Sequence, residues 1–597
     1  MCDENDEISA YLAWLSFNLN RIHNCDKMKR VSLILFGMAV LSLCVIVLVS
    51  LQTLPLVVTA ATPTLPVQVY IIKPVTSQKI LPNTPVSAFP LAGNTGNDTI
   101  RISACRGEFE PASFVIRPTV NVTGVMIDVT DLKDSNGNTI PKSRVDIRLV
   151  KCWYQAGIKS IEKEGGKFLV PELLLKDDSL VKVDQAAQMN YVRITVNGIS
   201  QYIDITSPNA VFPADAEIHD AKVLQPFDAE ANTNKQIWIT IQVPKSAKSG
   251  VYKGRVTLKD GSQILGVTNI MLTVLPFDLK ESVMDYGLYY IGKLRSGKVL
   301  VPNSEYKSEG QYAAELQNMK DHGVLYPTLY QYYDTMLGRS LSIRKKVGLP
   351  TDKLYALQVN PGSDSNIVSS PTLLNNIAKW KALASQYGFQ NLYIYGKDEA
   401  TGNALLSQRG VMYAAHTAGV KTFVACYKGA ADAIGDLLDL PILSGYYKPH
   451  EVKKWHQLGK KVFIYGYPQA GVEDAALYRR NYGLGALCNG YDGVMNYAYQ
   501  REFGQIWNDF DSYAKAFQYR DHVFAYPTSD GVIDTVQWEG FREAIKDVRY
   551  LTTLASVTNA SAYDSLCGLF SANTDLDSLR LEVVDRIKSS LSTSRKR

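Results

Sequence analysis

The most constraining feature of the sequence is a regular alternation of short aromatic or β-branched runs with amphipathic segments over residues 281–556. The runs have the composition of strands, and segments such as "GQYAAELQNMKDHG" and "LLNNIAKWKALASQYG" have helical periodicity. The eight predicted strands read "DYGLYYIG", "VLYPTLYQ", "KLYALQV", "NLYIYG", "KTFVACYK", "PILSGYY", "KKVFIYGYP" and "GVMNYAYQ". Alternating strands and helices of this number predict a (β/α)₈ barrel of the TIM type over residues 280–556, a fold of typically ~250 residues.

A different pattern precedes the barrel. Residues 66–279 contain runs such as "VQVYIIKP", "VDIRLVKCWYQAG" and "KQIWITIQVP", separated by clusters of Asn, Gly, Asp and Pro. Many of these runs alternate apolar with polar residues, which is typical of strands with one buried face. The last part, from Val243 to Leu279, reads as a hairpin that completes a sheet. We therefore predict a multidomain chain in which an all-β sandwich comes before the barrel, followed by a C-terminal helical tail over 557–597.

The N-terminus is predicted to export the chain. No charged residue lies between Arg30 and Lys73, and the run from Val31 to Val49 is long enough to cross a hydrocarbon core of about 30 Å. The basic residues before it favour a cytoplasmic segment over 1–30. Residues 31–65 are then either a retained signal anchor or a signal peptide that is cleaved near "VTAAT". Both alternatives predict an extracytoplasmic protein, membrane-anchored or secreted.

Composition narrows the classes of partner. The net charge of +5 arises from 63 basic and 58 acidic residues mixed along the chain, without the basic stripe of a nucleic-acid-binding protein. The histidines and cysteines have no spacing typical of metal ligands, so we expect neither a metal site nor a cofactor. A disulfide between Cys105 and Cys152 is one candidate pairing in an exported domain. Nothing in the sequence fixes the oligomeric state.

The fourth predicted strand ends in an unusual way. In "NLYIYGKDEA" an aromatic run is followed by a lysine and two adjacent carboxylates, Asp398 and Glu399. Active sites of (β/α)₈ barrels lie at the C-terminal ends of the strands, where these acids would be. We predict that both are catalytic. The alternative is that they cap the following helix, because acids are favoured near helix N-termini.

Other predicted strands also end in hydroxyl or amide side chains that would surround the same opening. A phenol offers a sugar both an apolar face and a hydrogen-bonding group. The candidate substrate-binding residues are Tyr395, Tyr447, Tyr465, Tyr467, Asn496 and Tyr497.

Adjacent acids restrict the chemistry. Two carboxylates that flank a glycosidic bond stand about 5–9.5 Å apart, which neighbouring residues do not easily achieve from opposite sides of a sugar. A neighbouring pair fits substrate assistance better. In that mechanism the 2-acetamido oxygen of the sugar attacks the anomeric carbon, one carboxyl protonates the leaving oxygen, and the other holds the acetamide nitrogen.

The segments "YIYGKDEA", "CRGEFEPASFVI", "WITIQVPKSAKSGVYKGRVTL" and "VQWEGFREAIKDVRYLTTL" together resemble glycoside hydrolase family 123 and its family-123-like catalytic domains, over roughly Val67 to Leu554. The resemblance implies a β-sandwich followed by a barrel and an exo-acting β-N-acetylgalactosaminidase. It also implies that Glu399 is the general acid/base and that Asp398 orients the acetamido group. The final helix around Arg542 would be structural, with Arg542 as a candidate to face the site.

Two alternatives remain open beside this retaining β-N-acetylhexosaminidase. One is a glycosidase of the same fold with another specificity, including the choice between galacto and gluco sugars. The other is a non-catalytic, membrane-tethered protein that binds glycans or builds the cell envelope. This second alternative requires Asp398 and Glu399 to be solvated helix caps.

Overall fold

The computed structural model describes residues 65–92, 99–159, 166–297, 299, 301–359, 371–512, 519–559 and 561–594. Apart from Leu65, the predicted export segment therefore lies outside the described residues. No helix within these ranges is both long enough and apolar enough to cross a bilayer. The chain from Leu65 onward forms one structural unit.

The first half of this unit is built from strands that pair mostly in antiparallel fashion. They are β1 (Val67–Ile72), β2 (Thr99–Ala104), β3 (Phe109–Pro118), β4 (Val122–Val129), β5 (Leu132–Lys133), β6 (Thr139–Ile140), β7 (Val145–Gln155), β8 (Phe168–Leu175), β9 (Val181–Asp184), β10 (Met189–Val196), β11 (Ile199–Asp204), β12 (Phe227–Ala229), β13 (Lys235–Gln242), β14 (Gly250–Asp260) and β15 (Gln263–Val274). Short 3₁₀ turns cover Val86–Ala88, Lys142–Arg144 and Asp178–Leu180.

Two of the sheets share one core. The first has the order β1-β3-β13-β7-β8, and the second has the order β12-β4-β14-β15-β2 with β2 parallel to β15. Alternate residues of β13, such as Ile237 and Ile239, pack in the same cluster as Val256 and Leu258 of β14. The two inner faces therefore bury each other, as the alternating pattern of the strands predicts. The predicted final hairpin is β14 and β15, with Gly261 at φ 52° in the turn.

A third sheet, β11-β10-β9, joins the two halves of the unit. Val192 and Ile194 on β10 pack in a cluster that also contains Trp507 and Tyr526 from the second half.

The second half alternates strands with helices. Its strands are β16 (Asp285–Leu288), β17 (Lys293–Leu294), β18 (Tyr306–Lys307), β19 (Lys353–Ala356), β20 (Asn391–Tyr395), β21 (Lys421–Cys426), β22 (Leu440–Ser444), β23 (Phe463–Tyr465), β24 (Gly493–Asn496), β25 (Gln500–Arg501), β26 (His522–Val523), β27 (Ala525–Pro527) and β28 (Val532–Asp534). Its helices are α1 (Glu309–Asp321), α2 (Leu337–Val347), α3 (Pro371–Gln386), α4 (Gly402–Ser407), α5 (Arg409–Thr417), α6 (Ala430–Ile434), α7 (Pro449–Gln457), α8 (Ala475–Arg480), α9 (Ala486–Cys488), α10 (Val536–Val557), α11 (Ser561–Cys567) and α12 (Leu576–Ser594), with a π-helical turn at Asn481–Gly485.

Seven of the eight predicted strands form one parallel sheet in the order β16-β24-β23-β22-β21-β20-β19. The eighth, "VLYPTLYQ", has no regular strand, but its backbone bonds to both edges of that sheet. The amides of Tyr326 and Thr328 donate to β16, at 3.0 and 2.9 Å, and the amide of Leu329 donates to the carbonyl of Tyr355 in β19 at 2.8 Å. The sheet is therefore curled so that its two edges meet on residues 325–330.

The C-terminal helices complete the unit. Helix α10 buries Trp538 and Phe541 against the helical layer of the curled sheet, and α12 packs on α10 through Val583 and Ile587. A disulfide between Cys488 and Cys567 joins α9 to α11.

The cysteine pairing differs from the candidate drawn from the sequence. Cys105 and Cys152 are both free, and Cys105 is buried. The disulfide forms instead between Cys488 and Cys567, which are 79 residues apart and which tertiary packing brings together.

Candidate active site

The acid pair lies where the chain leaves β20. The amide of Gly396 donates to the carbonyl of Phe423 at 3.0 Å, and the amide of Glu399 donates to the carbonyl of Ala425 at 3.0 Å, so this segment stays beside β21. Glu399 has φ 47°, in the left-handed region that non-glycine residues rarely adopt. On a regular strand adjacent side chains point to opposite faces, and this turn removes that restriction.

Each carboxylate accepts a hydrogen bond from a tyrosine. The hydroxyl of Tyr395 donates to Oδ1 of Asp398 at 2.6 Å, and the hydroxyl of Tyr427 donates to Oε2 of Glu399. The backbone between them is also held, because the amide of Lys397 donates to Oε1 of Gln408 at 2.8 Å. The two acids are therefore fixed separately, each by its own donor.

The environment raises the pKa of both acids above the usual values of aspartate and glutamate. Surrounding protein atoms partly desolvate the carboxylate of Asp398 and raise its pKa, although the residue as a whole is exposed at the rim. Burial also raises the pKa of Glu399, and the nearby charge of Asp398 raises it further. Burial raises the pKa of Tyr427 to about 12, so its hydroxyl stays a donor at neutral pH.

The interpretation of the pair as helix caps is wrong. Helix α4 starts at Gly402, its N-cap is Thr401, and its first turn contains no acid. Asp398 and Glu399 precede this N-cap and bond to tyrosines instead.

Tyr289 is the centre of a cluster that contains three of the predicted substrate-binding tyrosines. Its ring centroid lies 6.1 Å from that of Tyr395, 6.2 Å from that of Tyr465 and 5.6 Å from that of Tyr497. Its hydroxyl lies 3.0 Å from the hydroxyl of Tyr395. Tyr289 and Tyr465 are buried, whereas Tyr395 and Tyr497 are partly exposed. The cluster therefore links the acid pair to the interior of the curled sheet.

The other predicted tyrosines form a second group. Tyr467 lies between Tyr446 and Tyr447, with centroid distances of 4.8 and 4.9 Å. The hydroxyl of Tyr447 donates to the carbonyl of Asn481 at 2.9 Å. This hydrogen bond helps to hold the π-helical turn that follows α8. Tyr446 is the exposed member of this group.

Asn496 has a structural role. It is 0% exposed, and its Oδ1 accepts from the amide of Gly466 and the hydroxyl of Tyr482, both at 2.8 Å. Its Nδ2 donates to the carbonyl of Pro468 at 3.1 Å. The side chain holds the loop after β23 in place and does not face the opening, contrary to the prediction that it binds substrate.

Arg542 also lies elsewhere. It is buried, pairs with Glu539, and its guanidinium stands 5.5 Å from the ring centroid of Phe109 on β3. It therefore packs between α10 and the sandwich.

Sequence reasoning missed Tyr289 and Tyr427. Both follow the last residue of a parallel strand, β16 and β21 respectively. The rule that selected the acid pair, position at the C-terminal end of a strand, also applies to these two tyrosines.

Comparison with known proteins gives one family-model match, in the first half of the chain, and structural matches that extend over both halves. The profile of the glycoside hydrolase 123 N-terminal domain matches residues 90–260. Among solved structures, a family 123 glycoside hydrolase from Clostridium perfringens, described for glycolipid glycan hydrolysis, superposes with a TM-score of 0.59 at 13% identity. The alignment covers 89% of this chain and 99% of that chain. No curated protein matches the sequence.

Weaker structural matches are also found. A GH5 xyloglucanase from Bacteroides ovatus aligns at 8% identity over 76% of this chain and 99% of its own, with a TM-score of 0.27. A β-glucuronidase from Ruminococcus gnavus aligns at 10% identity over 66% of this chain and 82% of its own, with a TM-score of 0.25. Scores this low do not establish a shared fold. The domain match and the superposition with the clostridial enzyme confirm the resemblance to glycoside hydrolase family 123 and support a glycoside hydrolase.

Proposed function

We propose that the chain is an extracytoplasmic, exo-acting, retaining β-N-acetylhexosaminidase, similar to a β-N-acetylgalactosaminidase, that uses the 2-acetamido group of its substrate as the nucleophile. The observation that carries the proposal is the arrangement of Asp398 and Glu399. They are adjacent, follow a strand of a curled parallel sheet, and each accepts a hydrogen bond from a different tyrosine.

We assign the curled sheet and its helices to a (β/α)₈ barrel. Seven parallel strands and the segment 325–330 that bonds to both sheet edges supply the eight positions of such a barrel. The acid pair follows β20, so it would lie at the C-terminal face, where the active sites of these barrels are found.

The chemistry divides between the two acids. Glu399 has the raised pKa that a general acid needs near neutral pH, and it protonates the departing glycosidic oxygen. The ionised carboxylate of Asp398 accepts the N–H of the acetamido group and directs its carbonyl oxygen onto the anomeric carbon. The resulting cyclic oxazolinium ion is opened by water, from which Glu399 now takes a proton. Two inversions at the same carbon retain its configuration.

The tyrosine cluster supplies a surface for the sugar. The partly exposed rings of Tyr395 and Tyr497 offer apolar faces for a pyranose, and buried Tyr289 and Tyr465 support them from below. Tyr467 and Tyr447 form a second aromatic wall.

Hydrolysis of paired aryl glycosides tests the mechanism. We expect cleavage of 2-acetamido β-glycosides and no cleavage of the matching 2-hydroxy sugars, with galacto and gluco epimers compared side by side. Equal rates on the 2-hydroxy sugars would exclude substrate assistance and leave a glycosidase of another specificity. If no sugar is cleaved but glycans bind, the chain is a non-catalytic glycan-binding protein. Because the similar clostridial enzyme was described for glycolipid glycans, a glycolipid-borne glycan is the first natural substrate to test.

The extracytoplasmic location rests on the uncharged stretch after Arg30, and the Cys488–Cys567 disulfide is consistent with an oxidising compartment. Protease added to intact cells should degrade the part of the chain after residue 65. Protection of that part, under conditions that degrade a known surface protein, would reject the location.

A further inference from the structure

A second cluster of chemically active side chains lies away from the acid pair, between the sandwich and the helices of the curled sheet. His322 follows α1, Asp534 ends β28, and Glu539 lies in the first turn of α10. All three are buried, and one ligand atom from each lies within 4.8 Å of the others. They line a cavity of about 190 Å³.

The tautomer of His322 is fixed by its neighbours. Its Nδ1 lies 2.8 Å from the carbonyl oxygen of Asn318, which only accepts, so Nδ1 carries a proton. The ring also stacks on Trp538, with centroids 4.4 Å apart, which sets its orientation. In neutral His322 the lone pair of Nε2 therefore points into the cluster. Metal-binding histidines typically have this second hydrogen bond, because it orients the ring and makes the free nitrogen more basic.

Nε2 of His322 is buried and has no hydrogen-bond partner. The nearest carboxylate oxygen, Oε1 of Glu539, lies 3.5 Å away. A lone pair that faces a carboxylate across this distance is repelled unless a positive charge lies between them. The cluster therefore requires a cation, either a proton or a metal ion.

Charge and size favour a small cation over an anion or an organic ligand. The cavity is lined by four carboxylates, Asp146, Asp321, Asp534 and Glu539, and by three arginines, Arg144, Arg148 and Arg542. The excess is one negative charge. A volume of about 190 Å³ lies below the ~300–1,000 Å³ of small-molecule pockets and has room for an ion with water ligands.

The arginines already pair with parts of the two carboxylates. Arg148 donates to Oδ2 of Asp534 at 2.8 Å, the side-chain amide of Asn318 donates to Oδ1 of Asp534 at 2.6 Å, and Arg542 donates to Oε2 of Glu539. These bonds hold the carboxylates in place, and Oε1 of Glu539 faces Nε2 of His322. Ligands at 2.0–2.2 Å from a metal stand at most ~4.4 Å apart, so a small inward rotation of the side chains would bring all three atoms into range.

We propose that His322, Asp534 and Glu539 bind one divalent cation of the Zn²⁺ or Mn²⁺ class at the junction of the sandwich and the helical layer. The donor set of one imidazole nitrogen and two carboxylate oxygens suits these ions. The cation stabilises the contact between the two halves and is independent of the proposed glycosidase chemistry. Exposed Ser143 and Arg144 at the edge of the cavity mark where an ion enters.

The test uses the full chain after EDTA treatment and removal of the chelator. Titration with Zn²⁺, and separately with Mn²⁺, should show one equivalent bound per chain for at least one of the two ions. At a hundredfold excess over the dissociation constant, that ion should raise the unfolding midpoint by ~2 °C. His322→Gln should bind no ion at this site and should show no rise in the unfolding midpoint. Glu539→Gln, a second variant that conserves side-chain size, should behave in the same way.

His219→Gln is the matched control. His219 also lies between two carboxylates, Glu217 at 3.5 Å and Asp530 at 3.1 Å, but it is exposed. This variant should keep both the bound equivalent and the shift. No binding in the wild-type chain, binding kept in both cluster variants, or equal loss in His219→Gln would each overturn the proposal. A midpoint that responds to pH but to neither ion would assign a proton to the cluster instead.

Discussion

At the scale of single residues, the two acids differ in what holds them. Asp398 depends on Tyr395 and Glu399 on Tyr427, and the two donors belong to different strand ends. Substitutions at these four positions therefore separate the proposed roles of the two acids.

The acids should respond differently to the leaving group. Glu399→Gln should lower cleavage of a glycoside with a poor leaving group by ~10²–10⁴-fold, and should spare much of the first step for an activated aryl group, because such a group departs without a proton. Asp398→Asn should slow both substrates alike, because it impairs the nucleophile. Rates for both variants on both substrates provide the measurement. Equal losses across leaving groups for Glu399→Gln would remove its role as the acid.

Replacing Tyr427 and replacing Tyr395 should shift opposite limbs of the pH profile of kcat/KM. The hydrogen bond from Tyr427 lowers the pKa of Glu399, so Tyr427→Phe should raise that pKa and shift the alkaline limb of kcat/KM to higher pH. The hydrogen bond from Tyr395 lowers the pKa of Asp398, which must be ionised, so Tyr395→Phe should shift the acidic limb to higher pH. Tyr446→Phe, at an exposed ring, should leave both limbs in place. A downward shift of either limb would contradict the assignment.

At the scale of elements, the turn after β20 depends on a close contact at Gly396. A Cβ at this position would lie 2.5 Å from Oε1 of Gln408 and 3.2 Å from Cβ of Val424. The same Oε1 accepts the amide hydrogen of Lys397, directly before the acid pair.

Gly396→Ala should therefore displace Gln408 and lower kcat while the fold is retained, at a cost of ~1–3 kcal/mol in unfolding free energy. Gly310→Ala is the matched control, because a Cβ there meets nothing within 4 Å and the residue lies within α1. That variant should keep kcat and be slightly more stable. Unchanged kcat in Gly396→Ala would show that catalysis does not depend on the contact of Gln408 with this turn.

The disulfide between Cys488 and Cys567 holds α9 and α11 together. Cys567→Ser opens a covalent link between residues 79 apart, and it should lower the unfolding free energy by ~2–4 kcal/mol. Thermal unfolding with and without reductant measures this effect. The reductant should lower the midpoint of the wild-type chain and leave that of Cys567→Ser unchanged. An equal response of both proteins would show that the bond contributes nothing to stability.

At the scale of the whole molecule, a buried charge network joins the sandwich to the helical layer. The ammonium of Lys546 on α10 donates to Glu110 on β3, to the carbonyl of Phe109 at 3.0 Å, and to Glu543 at 2.8 Å. Arg580 on α12 donates to the other oxygen of Glu543 at 2.6 Å. One lysine thus connects the sandwich to a helix of the second half and, through Glu543, to the C-terminal helix.

Lys546→Met should destabilise the chain by ~3–5 kcal/mol, because it leaves Glu110 and Glu543 buried without their shared partner. Arg106→Met is the control, since its pair with Asp278 is more exposed and should contribute at most ~1 kcal/mol. Denaturant unfolding of both variants gives the comparison. Equal, small losses would show that the network contributes no more than a surface pair.

The sequence by itself determined the order of the elements. Seven of the eight predicted strands of the second half are β16 and β19–β24, because their aromatic and β-branched runs are short, buried and bounded by turn residues. The position of Asp398 and Glu399 directly after a strand was also readable from "NLYIYGKDEA". Local patterns suffice for such features, since a strand and its end involve neighbours in the chain.

Tertiary structure decided which distant residues meet. Asn496 follows the strand-end pattern, yet it is buried because its side-chain amide makes two hydrogen bonds to the loop after β23 and accepts a third from the hydroxyl of Tyr482. The partner of Cys488 and the cluster of His322 with Asp534 depend on how α1, α10 and α11 pack on the curled sheet. These residues lie 79 and 212 positions apart, and no spacing in the sequence encodes such a contact. Packing of the helical layer, rather than local pattern, therefore sets the cysteine pairing and the proposed cation site.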